Sequence, residues 1–502
     1  MTGGLPAILV AVAVATPFLA GILILVTGTR GTEVWGHIAA AITAAAALLL
    51  APTVMAGETV ELLVVPLVPG LDLLLRVDGL GLVFGLLASL LWIVTGVYSG
   101  GYAAATALAN RRRYFAAFAA SIGAAMGVAF AGNLLTFFLF YEALTLATYP
   151  LVVHTESDEA FNAGRRYLLF SLGGGLALLT AMIWAWQLTG TLDFVPGGFL
   201  DQVAGTTLVV LFVLFVSGVA VKSAVMPLHA WLPAAMVAPT PVSALLHAVA
   251  VVKAGVFAMM RVLGFVFGPV SLAGFAGPEV LAALAAITIV IGSLIAVRQD
   301  NLKRRLAYST VVHLSYIVLG AALVAPFGTV GSTLHMVNHG LAKITLFFCA
   351  GAIYATTKRQ NVSELTGLGH RMPWTFTAFT IGSLGLIGVP GMSGFISKFF
   401  LARGAIQAGD MVALTVMLGA SLLTATYLLP IVRVAFFPGT KALGGRGGRR
   451  LRARRREARP ALLVPLLITA LLVVVFGLVP PAFGVQYELA ADIAVRIFGG
   501  GQ

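Results

Sequence analysis

Apolar stretches recur from one end of this chain to the other, with too little between them for a soluble domain. Each runs for roughly 17–25 residues, long enough to cross about 30 Å of hydrocarbon as a helix. The pattern predicts fourteen spans: 5–27, 35–56, 79–99, 115–131, 133–153, 166–188, 206–225, 241–263, 280–297, 305–325, 331–356, 373–402, 411–437 and 461–480. Only 10% of the 502 residues are charged and 60% are hydrophobic, whereas soluble domains carry about 25% charged residues. The expected class is an all-α polytopic membrane protein.

The net charge of +13 does not point to nucleic acid, because the arginines fall in short loops between spans, where they act as topology signals. One cysteine, Cys349, excludes an internal disulfide and a cysteine-built metal or iron–sulfur site. The segment MTGGLPAILVAVAVATPFLAGILILV has no basic residue ahead of its apolar run. It therefore reads as an uncleaved first span rather than a secretory signal.

Basic clusters follow odd-numbered spans: Arg111 to Arg113, Arg165 and Arg166, Arg298 with Lys303 to Arg305, Lys358 with Arg359 and Arg371, and the run from Lys441 to Arg459. The alternate loops hold mainly acids such as Glu58, Glu61, Asp193, Asp201 and Asp410. The positive-inside rule then puts both termini on the outer side of a bacterial inner membrane. The basic segment 438–460 reads as a flexible cytoplasmic loop that attracts anionic lipid.

Two spans are interrupted. Pro227, Pro233, Pro239 and Pro241 follow Lys222 near span 7, and Gly388, Pro390, Gly391 and Gly394 precede Lys398 in span 12. Proline removes a backbone donor and clashes with the preceding turn, and non-helical backbone at membrane depth survives only against protein or a wet cavity. Paired interruptions in corresponding halves point to a transport site built on inverted repeats. The expected organisation is an N-terminal three-span segment (1–110), two inverted five-helix units (115–263, spans 4–8, and 280–437, spans 9–13), the basic loop, and a last span with its tail (461–502).

Ionisable residues inside apolar spans carry the functional signal. A charge at the centre of a spanning helix costs about 2.5–3.5 kcal/mol on insertion scales, so it faces a partner or a wet cavity. Glu142 in span 5 is expected to pair with Lys222 in span 7, and the ion-pair distance then sets whether Lys222 holds or gives up its proton. His247 and Lys253 share span 8; on a continuous helix, six residues is about 240° of rotation, so they point to different sides. For His247 a satisfied interior histidine stays open beside a relay role, and Arg261 near the span's end is expected to snorkel. His335, His339 and Lys343 stand at i, i+4 and i+8 on span 11 as one polar stripe, and histidine suits a proton relay. A His-x3-His pair can also hold zinc, but no third ligand lies nearby, so no metal is expected. His313 in span 10 is a further step. Lys303, beside Asp300 and Arg304, reads either as a relay group or as part of the cytoplasmic rim.

Five stretches, NLLTFFLFYEALTLATYPLV, KSAVMPLHAWLPAAMVAPTPVSALLHAVAVVKAG, DNLKRRLAYSTVVHLSYI, HMVNHGLAKITLFFCAGAIY and GVPGMSGFISKFF, resemble the antiporter-like subunit family. The resemblance covers about residues 75–440. Members include large membrane-arm subunits of respiratory complex I, their counterparts in membrane-bound hydrogenases, and the A and D subunits of Mrp-type sodium/proton antiporters. It implies that Glu142 and Lys222 match the family's helix 5 glutamate and helix 7 lysine. It likewise sets His247 and Lys253 at the helix 8 relay positions, His335 and His339 at those of helix 11, and Lys398 at the terminal helix 12 group. It further implies proton uptake from the cytoplasm, lateral transfer along a polar axis, and release outside through the second unit.

Length and Lys398 favour the D subunit of an Mrp-type antiporter, while LLHAVAVVKAG looks closer to the complex I and hydrogenase relatives. The expected function is proton translocation within a multi-subunit Na⁺/H⁺ antiporter; the alternative is a proton pump of a complex I-like or hydrogenase assembly. The chain has no nucleotide fingerprint or iron–sulfur ligands, so no cofactor is expected and redox chemistry would lie in partner subunits. The expected partners are those membrane subunits, the lipid bilayer, H⁺ and Na⁺. Sodium prefers oxygen ligands, so any Na⁺ site is expected to be shared with or supplied by a partner.

Overall fold

The computed structural model describes residues 4–28, 31–68, 71–437 and 456–499. Most of the expected basic loop, 438–455, lies outside the described residues. Helices α1 (Leu5–Thr27), α2 (Thr32–Met55) and α3 (Gly79–Thr106) form the N-terminal group. They are followed by α4 (Arg111–Ala129), α5 (Leu134–Val152), α6 (Asp158–Thr189) and α7 (Gly205–Lys222). Local chemistry sets many of the starts. The side chains of Asp78, Asn133, Ser157, Asn301 and Asp410 accept from backbone N–H groups in the first turns of their helices, which satisfies donors that a helix end leaves free.

Past α7 the chain breaks, as the prolines predict. It turns through Pro227 into the single turn α8 (Trp231–Ala234) and a 3₁₀ turn, Ala235–Val237. Pro239 and Pro241 stand elsewhere than expected: Pro239 caps α9 (Thr240–Ala248) and Pro241 sits in its first turn. They open this helix rather than interrupt the previous one, since proline tolerates the first turn where its missing N–H has no partner to lose.

Span 8 reads as continuous in the sequence and is divided in the structure. Helix α9 stops at Ala248 and α10 runs Val251–Arg261, and the Ala250 N–H bonds Leu245 O, five residues back, at 2.9 Å. A π-helical turn, Val262–Phe267, and the short α11 (Gly268–Leu272) complete this stretch. The rotation argument for His247 and Lys253 therefore fails, because the two lie on separate helical pieces.

The second half comprises α12 (Gly277–Arg298), α13 (Leu302–Ala322), α14 (Pro326–Thr357), α15 (Pro373–Ile387), α16 (Ser393–Gln407) and α17 (Met411–Phe436). Between α15 and α16 lie Gly388, Pro390 and Gly391, with φ of +86° at Gly388 and +87° at Gly391, a region glycine enters at no steric cost. Helices α18 (Pro460–Leu478) and α19 (Pro480–Gly499) close the fold.

Among the described residues, eleven helical stretches are long and apolar enough to span a bilayer, the divided stretch Thr240–Leu272 counted as one. Three of the fourteen expected spans differ: α4 and α13 begin with basic clusters, and the α15–α16 span is split into pieces of 15 residues each. Two elements have no counterpart among the expected ones. Val60–Val68 pairs antiparallel with Leu71–Val77 as a hairpin, held by Arg76, whose Nε lies 2.6 Å from Glu61 Oε1 and whose Nη2 lies 3.7 Å from Asp193 Oδ2. Helix α19 occupies what reads as a tail, burying Leu489, Ile493 and Ile497. Outward faces of the bundle present Leu19, Ile22, Leu169, Leu176 and Leu422, as lipid-facing helices require.

Candidate functional site

Helix α14 runs through the middle of the bundle with nearly every side chain buried. His335, His339 and Lys343 lie along it, at most 1% exposed. Each turn of α14 meets a different neighbour. Lys253, third residue of α10 after the break, donates from Nζ to His339 Nδ1 at 2.6 Å. One turn away, His335 Nε2 lies 3.1 Å from His313 Nδ1 on α13, and His335 Nδ1 lies 2.9 Å from Ser397 Oγ on α16. The three imidazoles stack, with centroids 5.4 Å apart for His313–His335, 5.5 Å for His313–His339 and 6.0 Å for His335–His339. At the third position, Lys343 donates to Leu306 O at 2.9 Å and to Ser309 Oγ, both on α13.

The two broken helices each carry a lysine at the break. Lys222 is the last residue of α7, fully buried, with Nζ 3.8 Å from Glu142 Oε1 and 3.3 Å above the Tyr141 ring centroid. Its ammonium also donates to Tyr141 O. Glu142 rests against Gly175 of α6, and both its carboxylate oxygens lack a hydrogen-bond partner among the described residues. Gly255 lets α10 approach the break, since a Cβ there would strike the backbone of Lys222 and Ser223.

At the other break, Lys398 donates to Leu386 O at 2.8 Å, Ile387 O at 3.0 Å and Ser421 Oγ at 3.0 Å. The first two are end carbonyls of α15, left without intrahelical donors when the helix stops. Lys398 also lies 5.0 Å from the Tyr316 ring, which in turn is 5.5 Å from His313 and 5.7 Å from His335. Tyr316 thus stands between Lys398 and the histidine group.

Two sequence candidates stand apart from these contacts. His247 on α9 is fully buried, 4.8 Å from the Phe347 ring, and neither ring nitrogen has a hydrogen-bond partner among the described residues. No protein group among the described residues satisfies its ring nitrogens. Lys303 donates to Ala238 O at 2.6 Å, just before α9, and lines a cavity of about 730 Å³ with Tyr102, Glu159, Thr240 and Arg359.

Arg261 does not snorkel. It is 1% exposed and grips Asp78, Nη1 to Oδ2 at 2.5 Å and Nη2 to Oδ1 at 2.7 Å, among Phe194, Phe257 and Phe265. Asp78 is an acid outside any apolar span, so sequence reasoning has no ground to pair the two. It also passes over Ser397, Ser309, Ser421 and Tyr316. Ser397 adjoins Lys398, and Tyr316 follows His313 by three residues, the spacing of one helix face; these two signals are present in the chain.

The fold and this interior define a polytopic helical membrane protein with discontinuous helices and lysines at the breaks. The chain belongs to the NADH:quinone oxidoreductase/Mrp antiporter membrane family, whose sequence model matches residues 131–424. It is 32% identical to NADH-quinone oxidoreductase subunit N of Desulforudis audaxviator, across 95% of this chain and 96% of that protein. It is also 32% identical to the A/B subunit of a probable K⁺/H⁺ antiporter of Rhizobium meliloti, across 82% of this chain and 40% of that longer protein. Among solved structures, a chain of the Mrp complex from Dietzia sp. superposes with a TM-score of 0.86 at 24% identity, covering 99% of this chain and 98% of that one.

Proposed function

We propose that this chain translocates protons as one membrane subunit of a multi-subunit monovalent cation/proton antiporter, with Na⁺ as the expected coupling ion. The carrying observation is the buried series Lys253–His339–His313–His335–Ser397, in which each neighbour is a hydrogen bond or a stacked ring away. Buried ionisable groups inside a spanning bundle mark ion pathways. Glu142 and Lys222 load the series from one side, Lys398 ends it at the other, and Lys343 and His247 stand beside it. Orphan nitrogens on His247, His313 and His339 are groups that bridging water would satisfy.

In this reading the protein sits in a bacterial inner membrane with both termini outside. Residues 115–263 and 280–437 act as two inverted units hinged at Lys222 and Lys398, and the cavity at Lys303 is the cytoplasmic inlet. Partner membrane subunits complete the assembly and provide any Na⁺ site. The test is pH-gradient-driven cation transport by the assembled complex carrying Lys222→Ala or Lys398→Ala. Both are expected to abolish it, and normal transport in both removes the proposal.

A second reading is a proton-pumping subunit of a complex I-like oxidoreductase or membrane-bound hydrogenase. It is favoured by the end-to-end match to subunit N. The composition of the purified native complex separates the two: small antiporter subunits for the first, iron–sulfur subunits for the second.

A further inference from the structure

We propose that the pocket between the end of α14 and the starts of α15 and α18 binds a phosphate group through Arg359, Arg371 and Arg456. The pocket encloses about 220 Å³ and is lined by these arginines with Thr356, Thr357 and Met372. Among the described residues, no carboxylate forms an ion pair with any of the three. Arg371 Nε is shut off from solvent without a hydrogen-bond partner, although the Arg456 N–H bonds Arg371 O at 3.0 Å and fixes the two segments together.

The two carboxylates nearest in the chain are already engaged. Glu457 accepts from Trp374 N at 3.0 Å and Thr375 Oγ1 at 2.5 Å, holding the start of α15. Glu364 accepts from Gln360 N at 3.1 Å and Asn361 N at 3.0 Å. The three arginines line one enclosure; Arg359 also donates from Nη1 to Glu364 O, while Arg371 and Arg456 have no carboxylate partner among the described residues, and the complement of such a site is a compact oxyanion. Guanidinium forks match phosphate oxygens in pairs.

The depth fits a headgroup. The pocket lies where three helices end or begin, at Thr357, Pro373 and Pro460. Trp374 beside it is 59% exposed, and tryptophan is enriched at the membrane–water boundary. The phosphate of an anionic lipid and free phosphate share this chemistry, and the experiment separates them.

The full chain, purified in its complex, is titrated with short-chain phosphatidylglycerol, short-chain phosphatidylcholine or inorganic phosphate at equal ionic strength, with thermal midpoint as the readout. Phosphatidylglycerol is expected to stabilise the wild type, and R371Q to weaken its apparent affinity about tenfold or more, the loss of one charged hydrogen-bonded contact. R456Q changes an exposed side chain, keeps the fold, and is expected to act in the same direction. Stabilisation by inorganic phosphate that both variants lose assigns the free anion as ligand and supports the site. Stabilisation by neither phosphate source, or an affinity unchanged in R456Q and R371Q, overturns the proposal.

Discussion

Lys253 Nζ and His339 Nδ1 stand 2.6 Å apart, although 86 residues separate them in the chain. The contact depends on the break between α9 and α10, which sets Lys253 at the start of a fresh helical piece. It joins the first half of the bundle to the histidines of α14.

Replacing His339 separates fold from conduction. His339→Ala leaves the buried Lys253 donor unmatched, a cost of about 1–3 kcal/mol. His339→Gln retains an acceptor but cannot carry a proton. The glutamine variant is expected to melt near the wild type and to lose transport in the assembled complex; full transport by it would exclude His339 from the pathway.

Gly255→Ala tests how tightly α10 is seated on the broken end of α7. The added methyl meets Lys222 and Ser223 backbone, and overpacking of this kind costs about 1–3 kcal/mol. Reduced thermal stability with weakened transport is expected, because the strain displaces Lys222 from Glu142. An unchanged melting midpoint would show that this approach is looser.

The Arg261–Asp78 pair predicts a non-additive cycle. Removing either partner alone, by Asp78→Leu or Arg261→Leu, strands a largely buried charge and is expected to cost about 3–5 kcal/mol. Removing both is expected to restore much of that loss in denaturant unfolding of the detergent-solubilised chain. Additive losses in the double variant would argue that each residue acts through other contacts.

Lys398 serves both the fold and the proposed pathway, and Lys398→Arg discriminates between them. Arginine keeps donors for Leu386 O and Ile387 O but does not give up its proton in proteins. Stability close to wild type with lost transport is expected, whereas Lys398→Met loses both. Transport retained by the arginine variant would confine Lys398 to capping the break.

Legibility from sequence tracks how local the cause is. Most of the helices, the interruptions at Pro227 and Gly388–Gly391, and the pairing of Glu142 with Lys222 are readable, since proline, glycine and isolated charges act through nearby backbone or through burial cost. The hairpin escapes a search for spans because its strands, VELLVVPLV and LDLLLRV, are too short to cross a bilayer, although short apolar runs are a strand signal. The α9–α10 break is not readable: HAVAVVK contains neither proline nor glycine, so packing rather than local propensity carries it.

Run length and composition alone determined that this chain lives in a bilayer and that Lys222, Lys253, Lys343, His335 and His339 fall inside apolar spans, because transfer from water to hydrocarbon depends on what each segment is made of. Which of those groups touch was decided by the tertiary structure. A hydrogen bond is made or lost within a few tenths of an ångström. Whether Lys253 reaches His339, or Arg261 finds Asp78, depends on the rotation and seating of helices far apart in the chain, which no single segment encodes.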